Sequence, residues 1–398
     1  MKANIILRSS AILIAAGLVA ASCGDDDGDS SEDTTAATAV EEASADTAAT
    51  EDTAAEEPDA ATADCAVGET DGNLAIYNWA EYIDQEELDA FAAEYDISVT
   101  MDTYDSNEAM QPIISAGNSG FDLIGPSDYM VTILTAAGSV QALNQAAIPN
   151  MANLLPEFTD LAYDPGNQYS APYQWGTTGM ALNTSVVGAD YEPTWGLIFD
   201  PELAGEFSGQ ITLLNDPRET MGAALKYLGY SLNTTSEEEL AEATDLVSAA
   251  RDNLAAFDTD QADELLVSGE TVIAHGYSGD MFVQFLDADD PSEYVYFVPK
   301  EGGARWVDTI AIPFDAPHPC SAHTFINWLL SGEHGAALSN WNYYSTPNAA
   351  ALDLLDEDLV LFLTDPSLVV GGVESLEQFV DTGDFEINYS DAFIEAKG

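Results

Sequence analysis

The stretch Leu74-Ala75-Ile76-Tyr77-Asn78-Trp79-Ala80-Glu81-Tyr82, running into Asp84-Gln85-Glu86-Glu87, decides the fold. Residues 74–77 form an apolar run behind Asp71-Gly72, the pattern of a short buried strand. Asp84 with Glu87 three residues on is a helix start, with Asp84 as N-cap. Two large rings and a carboxylate thus occupy a strand-to-helix turn, at the carboxyl end of a strand. In open α/β sheets that is where ligands sit. A ring face beside a carboxylate suits an organic ammonium, because the ring attracts the cation and the carboxylate accepts its N–H bonds. Taken alone, the same residues read more readily as core rings and a solvated acid.

The rest of the chain repeats the arrangement. Residues 97–101 alternate as a half-buried strand, 108–116 are helical, and 121–124 form a buried strand ending in Gly125-Pro126-Ser127-Asp128-Tyr129. The segment 169–182, with Pro172, Trp175 and Gly176, reads as a connection and not as a core element. A second α/β region opens with strand 210–214. It leads into Asn215-Asp216-Pro217-Arg218-Glu219, where Pro217 at the first helical position makes Asp216 an N-cap with Glu219 as capping-box partner. Strand 271–274 ends in His275-Gly276-Tyr277-Ser278-Gly279-Asp280. Strands near 294–298 and 304–313, the latter holding Trp306-Val307-Asp308, precede a helix near 325–330 and a ring-rich segment at 341–348 that includes Tyr344. Four strand ends present a ring, an acid or both, and a cage for a cation explains their number better than chance.

Composition narrows the partners. The 398 residues suffice for two domains, and 71 acids stand against 8 bases. Residues 24–64 hold 15 acids and no base, and residues 65–398 keep 56 acids against 6 bases. Such a surface excludes nucleic acid and favours cationic partners or a saline medium. Most of these carboxylates fit salt adaptation. Lys2 and Arg8 precede an apolar run at 11–21, too short to span a bilayer, and Ala20-Ala21-Ser22-Cys23 resembles a bacterial lipobox with Cys23 as the lipidated residue. Ordinary secretory cleavage nearby is the alternative, and either exports the protein. Residues 24–64, rich in Ala, Thr and acids and without a ring, read as a disordered tether spanning on the order of 35 Å. An exported compartment permits a disulfide between the remaining cysteines, Cys65 and Cys320, and leaves that pairing open.

Enzyme readings fare poorly. Gly276-Tyr277-Ser278-Gly279 is one residue short of a Gly-x-Ser-x-Gly elbow, and no phosphate-binding Gly-Lys-Ser/Thr loop is present. His318, Cys320 and His323 match no common zinc spacing, so neither metal nor cofactor is expected.

Across residues 74–397 the chain resembles the extracytoplasmic spermidine/putrescine-binding (polyamine-binding) proteins of ABC importers. The resemblance lies in Tyr77–Tyr82, Thr103–Glu108, Pro126–Tyr129, Asp216–Glu219 with Leu228–Ser231, Pro299–Gly303, Trp306–Asp308 and Thr346–Asn348. It implies an α/β, two-lobed periplasmic-binding-protein fold with hinge crossovers and the ligand in the cleft. The expected organisation is a lipoprotein signal peptide at 1–23, the acidic tether at 24–64, lobe 1 at 65–180 plus 308–346, and lobe 2 at 181–307 plus 347–398. Carried over by motif, Glu81, Asp216, Glu219 and Asp308 would accept the amines. Trp79, Tyr82, Tyr129, Tyr277, Trp306 and Tyr344 would form an aromatic box, with Ser127 as a hydroxyl partner. Asp280 resembles the putrescine-type branch, Ala80 replaces a hydroxyl residue, and Tyr277 replaces a larger Trp. Strand alternation turns Arg305 away from Trp306. The expectation is a monomeric, membrane-anchored receptor that passes a polyamine to an ABC permease. A receptor for another cationic or zwitterionic amine and a secreted hydrolase using Ser278 or the His318 cluster are the alternatives.

Overall fold

A computed structural model describes residues 62–398. The expected signal segment, Cys23 and the tether up to residue 61 lie outside these residues. Ten strands build the sheet: β1 (Leu74–Trp79), β2 (Val99–Tyr104), β3 (Leu123–Ile124), β4 (Ser170–Asn183), β5 (Ile211–Leu213), β6 (Leu254–Phe257), β7 (Ile273–Tyr277), β8 (Tyr294–Phe297), β9 (Gly303–Ala311) and β10 (Leu376–Glu377). Their order is β2-β1-β3-β9-β4-β7-β5-β6, with β10 beside β9 and β8 beside β4. At one end β1 pairs in parallel with β2 and β3; at the other, β5 pairs in parallel with β6 and β7. Between them β4 and β9 run antiparallel. This is the α/β arrangement expected, with parallel ends joined through an antiparallel middle.

Two hydrophobic cores flank that middle. One gathers Leu74 and Ile76 of β1 with Phe91, Met110, Leu123, Phe325 and Trp328. The other gathers Met180 and Leu182 of β4 with Trp195, Leu213, Met221, Ile273 and Tyr389. Ala171 and Tyr173 belong to the first core and Met180 and Leu182 to the second, so the single strand β4 passes from one to the other. The expectation of a connection at 169–182 is therefore wrong. Pro172 sits at a register shift in the β4–β9 ladder, the kind of irregularity that tolerates it. Gly176 and Gly179 are close-approach positions. A Cβ on Gly176 would come within 2.7 Å of the Trp306 ring, and one on Gly179 within 2.5 Å of the Phe297 carbonyl oxygen. Residues that read as loop punctuation are what let this strand lie under its neighbours.

Helix starts follow the capping pattern. Asp84 accepts from the Glu86 N–H at 3.1 Å, and the helix Gln85–Tyr95 begins there. Asp216 accepts from the Glu219 N–H at 3.0 Å ahead of the helix Pro217–Leu228. The reciprocal half of that expected capping box is replaced: the Glu219 carboxylate takes the Thr178 hydroxyl at 2.8 Å. His275 and Gly276 extend β7, and Ser278–Asp280 open the helix Ser278–Asp287, so the expected loop there is a direct strand-to-helix junction.

Cys65 and Cys320 are joined by a disulfide with Cα atoms 5.3 Å apart, closing a loop of 255 residues. His318 donates its backbone N–H to Asp122, and the His323 ring accepts from the Asn144 N–H, so the three residues weighed as a metal set serve the fold. Constraining so long a loop in the unfolded chain stabilises the native state by about 2–5 kcal/mol. The double substitution Cys65→Ser, Cys320→Ser is expected to lower the denaturant midpoint by that equivalent, with the same shift on adding reductant to the parent protein. An unchanged midpoint would contradict the bridge.

Candidate functional site

The carboxyl ends of β1 and β7, strand β9 and the junctions after β3 and β5 face one cleft of about 690 Å³, a volume that includes the part open to solvent. Its wall contains all twelve residues the sequence marked: Trp79, Glu81, Tyr82, Ser127, Tyr129, Asp216, Glu219, Tyr277, Asp280, Trp306, Asp308 and Tyr344. They come from stretches as far apart as β1 and the segment after the helix Gly332–Asn342.

The rings form a continuous chain. Centroid separations run 6.4 Å from Trp79 to Tyr277, 5.9 Å to Trp306, 5.2 Å to Tyr344 and 5.1 Å to Tyr82. Three of these four contacts are edge-to-face, the arrangement ring quadrupoles favour. The Trp79 indole N–H donates to the Gly125 carbonyl at 3.0 Å, fixing the first ring. Glu81 stands in the left-handed region at φ 52°, which makes the sharp turn between Trp79 and Tyr82.

Phenols and carboxylates hold one another. Tyr82 donates to Asp308 at 2.5 Å, and Ser127 donates to its other oxygen at 2.7 Å. Tyr344 donates to Asp280 at 2.7 Å, and Tyr129 to Glu108 at 2.7 Å. Asn107, which the sequence reading passed over, donates to Ser127 Oγ at 3.0 Å and so orients the hydroxyl on Asp308. Thr178 was also missed. It accepts the Trp306 indole N–H at 3.0 Å and donates to Glu219 at 2.8 Å, fixing a ring and an acid together. Each carboxylate offers about four acceptor positions, so these bonds orient the acids without exhausting them.

The charge is lopsided. Seven acids line the cavity: the five expected, plus Asp260 and Asp263. Asp216, Glu219, Asp263 and Asp308 are buried. The one lining base, Arg218, is already matched: it pairs with Glu386 at 2.6 Å and stacks over Tyr129, Phe379 and Tyr389 at 5.1, 5.0 and 4.4 Å. Arg305 points the other way, 4.7 Å over the Trp175 ring, as alternation along β9 requires. Burial pushes the Asp308 carboxyl up to about 6 against the bonds from Tyr82 and Ser127. Burial and then Glu108 raise Asp216 well above the usual range, and burial and then Asp216 raise Glu219. Burial, with Asp263 beside it, does the same to Asp280. A group of negative oxygens in a ring-lined pocket is poised for a cation with apolar links between its charges.

His275 and Ser278, next to the near-match to a nucleophile elbow, are engaged by the backbone. The His275 Nδ1 accepts from the Leu214 N–H at 3.5 Å, and burial holds the ring neutral, with its pKa lowered to about 3. Ser278 Oγ accepts from the Thr177 N–H at 3.4 Å.

Comparison with known proteins agrees with this architecture. Residues 87–360 match the family model for bacterial extracellular solute-binding proteins. The putrescine-binding periplasmic protein SpuD of Pseudomonas aeruginosa is 35% identical, over 71% of this chain and 80% of its own length. The spermidine/putrescine-binding periplasmic protein of Escherichia coli is 34% identical, over 74% and 83%. A solved Listeria monocytogenes protein, assigned to a spermidine/putrescine ABC transporter, superposes with a TM-score of 0.75 at 34% identity, covering 82% of this chain and 99% of its own. Such neighbours are two-lobed binding proteins. With more than half its length matching the family model and relatives aligned over most of theirs, the chain belongs to the bacterial extracellular solute-binding proteins.

Proposed function

We propose that this protein is an extracytoplasmic receptor that captures a linear polyamine of the putrescine/spermidine class and delivers it to an ABC permease. The observation that carries the reading is the cavity wall: seven acids, a continuous chain of rings, and one base already paired elsewhere. Asp216 and Glu219 take one ammonium group, Asp308 an inner one and Asp280 with Glu81 another, while Trp79, Tyr277, Trp306 and Tyr344 cover the methylenes. Each ring–cation contact contributes about 0.5–2 kcal/mol and each bond to a charged group about 1.5–3 kcal/mol. After the cost of association this leaves micromolar affinity or better, about −8 kcal/mol.

No bond is made or broken in the guest. The lobes, 65–180 plus 308–346 and 181–307 plus 347–398, close over it by flexing at β4 and β9, a population shift that gives the permease its docking face. The protein works as a monomer, anchored through Cys23. The names of its relatives support this reading, as does the cavity, whose occupant must supply positive charge.

Putrescine or spermidine at a hundredfold excess over Kd is expected to raise Tm by on the order of 5 °C, and glutamate and maltose to leave it unchanged. Asp308→Asn should cut amine affinity at least about tenfold while the protein stays folded; unaltered affinity by titration calorimetry removes Asp308 from the site. Thr178→Val should weaken binding about tenfold and Thr178→Ser should restore most of it, since the hydroxyl is what orients Glu219 and Trp306. Equal affinities for the two variants would dismiss that role.

The pH dependence has a definite sign. Asp308, raised to about 6 in the folded protein, favours the folded state while it carries a proton. That contribution is complete below about pH 4 and is lost as pH rises through about 6. Amine binding needs the ionised form and runs the opposite way. The ligand-induced rise in Tm should therefore be largest above pH 7 and shrink as pH falls through 6, less steeply in Asp308→Asn. A rise constant from pH 5 to 8 would be inconsistent with an amine seated on Asp308.

A further inference from the structure

Glu219 and Phe379 line a second, smaller cavity as well as the cleft. It measures about 190 Å³, part of it open to solvent, and has room for about one water molecule. His275 faces it too, and the amine site makes no use of that residue. Strand β7 places His275 1% exposed, edge-on against Trp195 with centroids 5.2 Å apart. Its Nδ1 accepts the Leu214 N–H, and burial keeps the ring neutral, so the one ring proton sits on Nε2. Among the described residues no acceptor takes that N–H. Glu219 has the complementary deficit. Thr178 donates to one of its oxygens at 2.8 Å, and among the described residues no donor reaches the other.

A buried N–H without an acceptor and a buried carboxylate oxygen without a donor are each costly, and one molecule can answer both. Purely apolar cavities stay dry, whereas one with polar groups on its wall and room for a water fills. A water here accepts from His275 Nε2–H and turns one O–H to Glu219. Its second O–H has Thr178 Oγ1 within the same wall, a hydroxyl that accepts only the Trp306 indole N–H and keeps a lone pair. We propose that the second cavity is a water site, and that His275 acts through that water as a positioning residue for Glu219, holding its carboxylate ionised and oriented for the amine. Each carboxylate oxygen has two acceptor positions, so the water leaves room for the ammonium N–H. The assignment rests on the polyamine reading of Glu219 given above and adds to it the residue that supports the acid from behind. The charges facing Glu219 are Asp216 and Arg218 on its own helix and Asp308 on β9, with Glu108 bearing on Asp216 and Glu386 paired to Arg218. All of them stay the same when His275 is replaced.

The test joins crystallography to titration, both on the whole protein. A crystal structure without amine is expected to show one water within about 3 Å of both His275 Nε2 and a Glu219 oxygen. A dry cavity, or a solvent peak that touches only one of the two, overturns the proposal. His275→Phe keeps a ring against Trp195 and removes the donor. It should weaken putrescine and spermidine by about tenfold each at pH 7.5. Losing a donor to the ionised acid raises the Glu219 pKa, so the pH at which binding is half lost should move up by about one unit. His275→Gln, which keeps an N–H donor, should stay within about threefold of the parent protein and hold the parent midpoint. Equal losses in the two variants, or a Phe variant with an unmoved midpoint, would make His275 a packing residue only. Should the Phe variant not fold, the crystallographic water and the Gln variant decide the matter. A parent protein that binds neither amine strikes at the polyamine reading; normal amine affinity in the Phe variant strikes at the role of His275.

Discussion

Like-charged carboxylates buried together are the constraint from which the rest of this structure follows. Taking Asp216, Glu219, Asp263 and Asp308 out of water, with Asp216 and Asp308 bearing on Glu219, raises the free energy of the ionised protein. The cleft answers in part by hydrogen bonding. Tyr82, Tyr344, Ser127 and Thr178 each lend a hydroxyl to an acid, and Asp216 caps a helix. These bonds hold the oxygens in place without neutralising them, so the acids remain oriented and short of positive charge. A receptor gains from that imbalance, because the ligand relieves a cost already present in the folded protein.

The same acids explain the shape of the sheet. Strand-end junctions on both sides of the sheet supply most of the cavity wall, and β9 adds Trp306 and Asp308 from the middle. β4 runs between the cores and β9 pairs along it, so that Gly176 of β4 lies beneath the Trp306 ring while Trp306 and Asp308 of β9 stand on the cavity face. Arg305, just before Trp306 on β9, turns its guanidinium onto Trp175. Arg218 shows how a base can coexist with the site. It is 1% exposed, bound to Glu386 and enclosed by three rings, so its charge is spent on holding the helix Glu386–Lys397 against the second core.

Much of this was legible in the sequence, for a physical reason. Strand-end turns concentrate rings and acids within a few residues of a recognisable strand and cap, so Trp79–Tyr82 and Asp216–Glu219 could be read from local pattern, while Trp306 and Asp308, inside β9, were marked by the family resemblance. What stayed hidden depended on tertiary placement. Pro172, Gly176 and Gly179 look like loop residues, yet one sits at a bulge and the others make room for a ring and a carbonyl, so β4 could not be recognised as the central strand. Glu219 at the third helical position predicted a reciprocal cap, but β4 lies close enough for Thr178 to compete and win. Asp263 sits among Asp258, Asp260 and Glu264 in a chain of 71 acids, where no local signal separates a buried carboxylate from a solvated one. Asn107 and Thr178 act through other side chains, and that role has no signature in sequence.

The central claim is that widely separated acids and rings converge on a flexible polycation. A crystal structure of the complex with spermidine tests it most directly. Amine nitrogens within about 3 Å of oxygens on Asp216 or Glu219, on Asp308 and on Asp280, with methylenes against Trp306 and Tyr344, are the predicted result. Spermidine bound outside this cavity, or lying in it with its nitrogens turned away from those carboxylates, would contradict the account.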